Sequence, residues 1–204
     1  MFYRVTMPRW IRILYPGCIW EMPREGKKIY LTFDDGPHPQ ITSYVLDQLK
    51  AYNARATFFC IGKNVEAHPA LYARILQEGH SVGNHTYSHM NGWKAGNREY
   101  AEDIARARNL IKGPLFRPPY GRIKRSQLKL LRQEGYTPVM WNILSGDFDK
   151  RLGPEDCMRY VIGSAGTGAV IVFHDSEKAW PRLEGALPGI LKYFSANGYS
   201  FERI

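Results

Sequence analysis

Cysteine is scarce in this chain of 204 residues: Cys18, Cys60 and Cys157 are all it has. Three is an odd number and no two stand in a C-x-x-C spacing, which argues against a disulfide framework and a cysteine-based zinc site. Cys60, inside the apolar run ATFFCIG, reads as a small buried hydrophobe. Long apolar runs are missing as well. Near the N-terminus the longest uncharged stretch, residues 13–20, is broken by Pro16 and Gly17. It falls far short of the ~20 residues needed to span a bilayer. No linker, low-complexity tract or close internal repeat interrupts residues 27–204. A basic block is also absent, although Lys plus Arg (28) outnumber Asp plus Glu (19) for a net charge of +9. That excess favours acidic partners. Its scatter carries no RNA-binding signature, so nucleic acid is not expected as a partner.

What is present is the composition of an ordinary globular protein, 44% hydrophobic and 23% charged. The length suits one domain with a real core. Residues 1–26 carry Arg4, Arg9 and Arg12 among aromatics, with no small-x-small cleavage site after them. They make no convincing secretory signal, and a cytoplasmic or membrane-peripheral location is expected. Residues 1–26 are expected to pack across one end of a domain formed by residues 27–204. The alternative is weak peripheral membrane contact through the arginines and aromatics.

Along residues 27–204 short apolar runs alternate with amphipathic ones. Strands are expected at 28–34, 56–61, 80–84, 114–117, 137–143, 169–173 and 199–203. The run at 80–84, HSVGN, is the least apolar of them. Ile41, Val45, Leu46 and Leu49 form one helical stripe, Leu71, Ile75 and Leu76 a second that stops at Gly79, and Tyr100, Ile104, Ala107 and Ile111 a third. Further helices are expected near 125–134, 154–163 and 182–197, the last interrupted or begun at Pro188. Such alternation implies an α/β fold with a parallel sheet, open or closed into a barrel. Two hundred residues is lean for eight complete β/α units.

The polar outliers respect one edge of that sheet. Asp34 and Asp35 end the first strand, His85 and His89 follow the third, Arg117 ends the fourth, Asp147 follows the fifth, and His174 and Asp175 end the sixth. The carboxyl ends of parallel strands are where α/β folds place their sites. Asp-Asp-Gly-Pro would suit a solvated turn, but scattered surface charge would not keep to one edge. In HTYSH, residues 85–89, the two histidines stand four apart, so a helical turn after the strand would put both imidazoles on one face. The zincin motif of that spacing has Glu after its first His, and here the position is Thr86. A base must come from elsewhere, and the Asp pair supplies one. One carboxylate plus two histidines leaves open positions on a zinc-like ion, and the second carboxylate is free to take a proton from water. A nearby dication also lets two adjacent acids ionise together.

On TFDDG at 32–36, HTYSH at 85–89, RPPYG at 117–121 and IVFH at 171–174, in that order, the chain resembles the polysaccharide deacetylase family, the carbohydrate esterases of the NodB homology type. The resemblance covers roughly residues 28–204. It implies a distorted (β/α) barrel of about seven parallel strands in a single domain, and a divalent metal ion, most commonly Zn2+, with Co2+, Ni2+ or Mn2+ as alternatives. It implies Asp34 as general base and Asp35, His85 and His89 as metal ligands. Arg117 would orient the base, the backbone N–H of Tyr120 would help hold the oxyanion, and His174 would be the general acid.

The family's fourth motif, D-x-x-D-W, is altered here to LSGDFD, residues 144–149. Leu144 stands at the first Asp, Asp147 at the second and Phe148 at the Trp. Asp147 is the position that contacts the general-acid histidine and can keep it protonated. Phe148 can still wall the pocket without an indole N–H. Trp93, in the polar loop 90–97, is either a sugar-stacking platform or a packing residue.

The implied activity is removal of N-acetyl groups from amino sugars of a peptidoglycan- or chitin-like glycan, with an acetylated glycan as partner. Alternatives are an O-acetyl esterase, a deacylase of a glycolipid or small molecule on the same metal site, or a catalytically silent glycan-binding protein. Nothing in the sequence specifies an oligomeric state.

Overall fold

The computed structural model describes residues 5–204; Arg4 and the rest of residues 1–4 lie outside the described residues. Among the described residues eight strands are interspersed with helices in chain order. They run α1 (Arg9–Leu14), β1 (Lys28–Asp34), α2 (Ile41–Ala51), β2 (Ala56–Cys60), α3 (Gly62–Ala67), α4 (Pro69–Gln77), β3 (Ser81–Asn84) and α5 (Asn97–Arg108). There follow β4 (Leu115–Phe116), a 3-10 turn (Pro119–Gly121), α6 (Arg125–Gln133), β5 (Thr137–Pro138), β6 (Ile143–Leu144), α7 (Pro154–Ser164), β7 (Val170–His174), α8 (Trp180–Ala196) and β8 (Ser200–Phe201).

Among the described residues every pairing between these strands is parallel. Seven strands lie in the order β5-β4-β3-β2-β1-β7-β6, curled into a half-barrel surrounded by helices, and β8 pairs with the start of β1. This is the distorted (β/α) barrel that the sequence resemblance implies. β1 sits at the centre because it is apolar on both faces: every residue from Ile29 to Asp34 is buried, as a parallel strand covered on both sides requires. Phe33 stacks between Phe58 of β2 (5.1 Å) and Phe173 of β7 (5.9 Å), in a core completed by the apolar stripes of α2, α7 and α8.

Three expectations need correction. The strand at 137–143 is two short strands, β5 and β6. The carbonyls of Val139 and Met140 between them accept hydrogen bonds from the buried Arg117 side chain instead (3.1 and 2.8 Å). The helix near 182–197 is neither interrupted nor begun at Pro188: α8 runs through it. Proline leaves the carbonyl four residues back without its helical donor, and here that carbonyl, of Glu184, accepts the Tyr44 hydroxyl at 2.8 Å. The runs at 114–117 and 199–203 pair over only two residues each.

The described part of the N-terminal segment lies between β5 and β6, which do not pair with each other. Ile19 N–H donates to Pro138 O and Ile19 O accepts from Met140 N–H, while Met7 N–H donates to Asn142 O and Val5 O accepts from Leu144 N–H. Trp20 is 6% exposed. No helix among the described residues is long and apolar enough to cross a membrane.

Candidate active site

Asp34 is the last residue of β1 and obeys its alternation; Asp35 does not. A φ of 85° at Asp35 turns the backbone out of the strand, so both neighbouring carboxylates line the same cleft. The left-handed region costs a non-glycine residue energy and marks sites where the surroundings hold it in place. Here Asn64 Nδ2 donates to Asp35 O (2.7 Å) and Asp175 accepts from Gly36 N–H (3.0 Å), clamping the turn on both sides.

Arg117 is fully buried, and all of its guanidinium nitrogens are bonded. Nη1 donates to Asp34 Oδ1 and Thr32 Oγ1, both at 2.7 Å, while Nε and Nη2 reach the Val139 and Met140 carbonyls. The guanidinium lies over the Phe59 ring at 4.0 Å. Burial pulls its pKa down, and the adjacent Asp34 carboxylate opposes that. A buried arginine held through all three guanidinium nitrogens fixes one carboxylate oxygen of Asp34 in place.

HTYSH does not form the helical turn that the spacing suggests. Thr86 and His89 adopt φ values of 63° and 60°, which no helix continues, and the segment is an irregular loop. Its Thr86 and Tyr87 carbonyls accept from the Gly62 and Lys63 N–H groups at the start of α3. Asp103 of α5 accepts from Tyr87 and Ser88 N–H at 2.9 and 3.0 Å. The loop folds His89 back onto His85, ring centroids 5.1 Å apart, so the pair meets by a route other than a shared helix face.

Asp35, His85 and His89 each offer a ligand atom, all within 4.8 Å of one another. His85 is buried, which pushes its pKa down to about 4, and its Nδ1–H donates to Arg117 O at 2.7 Å. The Nε2 lone pair therefore faces inward, 3.7 Å from Asp35 Oδ1. That oxygen is buried without a hydrogen bond, although His89 Nε2 is 3.2 Å away. Burial would raise the Asp35 pKa, but the histidines around it hold it well below the carboxylate range. A buried carboxylate oxygen without a well-formed hydrogen bond, facing imidazole nitrogens, fits a cation between them.

Across the cleft, Asp34 and His174 are register partners on adjacent parallel strands, so their side chains project to the same side. Asp147, fully buried, accepts from His174 N–H (2.7 Å) and from its Nδ1–H (2.8 Å), which leaves Nε2 toward the cleft. Burial would lower the pKa of His174, but Asp147, with smaller help from Asp35 and Asp34, pushes it up to about 10. Phe148 packs edge-on against the His174 ring at 5.7 Å. Tyr120, φ 61°, lies against His89 at 4.6 Å. The cleft between these groups holds about 420 Å3 and is also walled by Trp141, Leu144, Val172 and Arg122.

All eight candidate residues meet here, six lining the cleft with Arg117 and Asp147 behind them. Sequence reasoning did not single out Thr32, Asp103 or Arg182, and placed Asp175 only among the polar outliers at the strand ends. Thr32 sits inside the TFDDG motif, where a polar residue in a fully buried strand was the available signal. Arg182 Nε donates to Asp147 O at 2.9 Å from α8, and nothing local marks it. Asp175 is buried and accepts from Thr42 Oγ1; burial pushes its pKa up to about 8.

The fold and cleft together define a hydrolase of the (β/α)-barrel class. The family model for polysaccharide deacetylase matches residues 21–139, and the chain belongs to that family. It is 36% identical to a peptidoglycan-N-acetylglucosamine deacetylase of Bacillus cereus over 89% of this chain and 88% of the relative. It is 32% identical to a chitooligosaccharide deacetylase of Azorhizobium caulinodans over 78% of this chain and 79% of that one. A crystal structure of a peptidoglycan N-acetylglucosamine deacetylase superposes with a TM-score of 0.88 at 30% identity, covering 97% of this chain and 95% of that one.

Proposed function

We propose that the chain removes N-acetyl groups from amino sugars of a peptidoglycan- or chitin-like glycan, with a divalent metal ion, zinc first among the candidates, held by Asp35, His85 and His89. The observation that carries this reading is the unbonded Asp35 oxygen facing the histidine nitrogens, with a held base on one side and a held acid on the other. When bound, the ion supplies Lewis-acid polarisation of the acetyl carbonyl and a lowered pKa for water.

The protein's own residues do the rest. Asp34, fixed through Oδ1 by Arg117, has its second oxygen available to take the proton as water attacks the carbonyl carbon. The turn at Tyr120 offers a backbone N–H to the developing oxyanion. His174, kept protonated by Asp147, gives its Nε2 proton to the leaving nitrogen. Acetate and a free amine result, and Asp34 ends with the proton that His174 must regain.

The test is acetate release from a panel of N- and O-acetylated glycans before and after metal removal. Chelation should abolish release and Zn2+ restore it. Asp34→Asn should retain bound metal and lose at least about a hundredfold in kcat, since an amide cannot accept the proton. Release from O-acetyl compounds alone, or near wild-type turnover in Asp34→Asn, would overturn the reading.

A further inference from the structure

The turn that places Asp35 is one peptide unit held at both ends by side chains. Its carbonyl, Asp35 O, accepts from Asn64 Nδ2 at 2.7 Å, and its N–H, that of Gly36, donates to Asp175 Oδ1 at 3.0 Å. The next carbonyl, Gly36 O, accepts from Ile61 N–H at 3.0 Å. The plane of this peptide sets ψ at Asp35, whose φ of 85° already lies where a non-glycine residue stays only under constraint. Any rotation of that plane swings the Asp35 side chain relative to the chain that follows. Gripping the plane therefore fixes where Asp35 Oδ1 stands against His85 Nε2 and His89 Nε2, 3.7 and 3.2 Å away.

Of the two grips, Asn64 is half-buried and Asp175 is only 1% exposed. Asp175 is also the one tied to the rest of the site. It directly follows His174, and its own N–H donates to Asp34 O at 3.0 Å, continuing the pairing of β7 with β1. Its second oxygen is held as well. Thr42 Oγ1, in the first turn of α2, donates to Asp175 Oδ2 and itself accepts from His38 N–H at 2.8 Å. Gly36 packs directly on this carboxylate, since a Cβ there would run into it. Asp175 thus joins the strand that carries His174, the backbone of Asp34 and the turn of Asp35. It does not line the cleft, so its influence on the chemistry passes through the groups that it holds. A carboxylate that merely satisfied buried donors would affect stability alone; one that grips the peptide after a metal ligand also sets that ligand's geometry.

We infer that Asp175 is a positioning residue: it fixes the Asp35 carboxylate against His85 and His89, and so sets the affinity of the cleft for a divalent ion. The inference rests on the proposed function for the role of Asp35 as a ligand.

The test measures Zn2+ and Co2+ affinities at one pH, by competition with a chromophoric chelator, for wild type, Asp175→Ala, Asp175→Asn and Thr42→Val. Thermal melts of the metal-free proteins are recorded alongside. Asp175→Ala should weaken metal binding by about 10–100-fold, the scale seen when the outer partner of a ligand is removed. Asp175→Asn should recover most of that loss, because its Oδ1 still accepts from Gly36 N–H and its amide can donate to Thr42 Oγ1. Thr42→Val leaves Oδ2 without its donor and should fall between the two. A role in stability alone would lower the melts and leave the affinities equal. Wild-type affinity in Asp175→Ala overturns the inference, as does an Asp175→Asn that binds as weakly as Asp175→Ala. Should Asp175→Ala not fold, wild-type affinity in Thr42→Val overturns it. If wild type itself binds neither ion, the metal reading of the cleft fails separately, and NMR decides the positioning. Exchange of the Gly36 amide should then quicken, and the His85 and His89 imidazole signals move, in Asp175→Ala or Thr42→Val but not in Asp175→Asn; unmoved signals overturn the inference.

Discussion

At the scale of single residues, the proposed role of His174 as general acid depends on how its charge is held. A general acid must be protonated when the amine leaves, and burial works against that. Asp147 reverses it through two hydrogen bonds and its charge. Asp147→Asn should therefore move the alkaline limb of the pH–rate profile to lower pH, with metal content unchanged. A divalent ion nearby lowers the histidine's pKa in both proteins and leaves the direction of this difference intact. The same pair has a stability signature. The folded-state pKa of His174 lies above its unfolded value near 6.5, so the contribution is fully present below that pH and is lost as pH rises toward 10. Asp147→Asn should flatten that part of the stability curve, read as urea midpoints between pH 6 and 10. An unmoved kinetic limb would remove Asp147 from this role. Leu144, the departure from the usual motif, lies on the cleft wall with Val172 and Trp141; Leu144→Asp should shift the limb little, because the histidine already has its carboxylate.

At the scale of elements, β3 shows why a poor-looking strand is kept. Its sequence SVGN is short and holds a glycine, normally a weak point in a strand. A Cβ on Gly83 would stand 2.5 Å from the Phe59 ring and 3.1 Å from Leu115 Cβ, and that same ring lies under the Arg117 guanidinium. Gly83 thus lets β2 and β3 approach closely enough for the aromatic floor beneath the arginine. Gly83→Ala should cost about 1–3 kcal/mol through overpacking and also lower kcat, because Phe59 can only yield toward Arg117. Gly163 of α7 is the counter-case, with open space where a Cβ would go; Gly163→Ala should be neutral or stabilise by up to about 1 kcal/mol. Equal urea midpoints for wild type and Gly83→Ala would dismiss the packing argument. β1, β2, β7 and the long helices were legible because each buries a regular apolar run or stripe. The His85–His89 loop and the break after Pro138 were not: their shape comes from positive φ values and from donors on distant elements, which no local period records. The passage of α8 through Pro188 depends likewise on a hydroxyl from α2.

At the scale of the whole molecule, the half-barrel leaves β5 and β6 as open edges, a condition that invites pairing with other chains. The segment before β1 occupies that opening. Beyond its bonds to residues 138–144, Met22 N–H donates to Gly168 O at 2.9 Å, and Arg12 pairs with Glu21 at 3.0 Å. From sequence this segment read only as something that packs or touches a membrane, since its contacts are backbone bonds that leave no residue pattern. Its position has a consequence for the site. Val139 and Met140, whose carbonyls hold Arg117, belong to the stretch that it braces. We propose that the segment is a structural part of the catalytic domain. Deleting residues 1–22 should then lower the thermal midpoint, expose the β5 and β6 edges to self-association, and reduce kcat more than KM as Arg117 loosens. Trp20→Ala, which keeps the backbone bonds and removes the buried indole, separates the two contributions and should cost about 3–5 kcal/mol without exposing the edges. Thermal melts with size-exclusion chromatography read both effects. A truncated protein that melts with wild type, stays monodisperse and turns over at the same rate would show that the half-barrel closes without its strap.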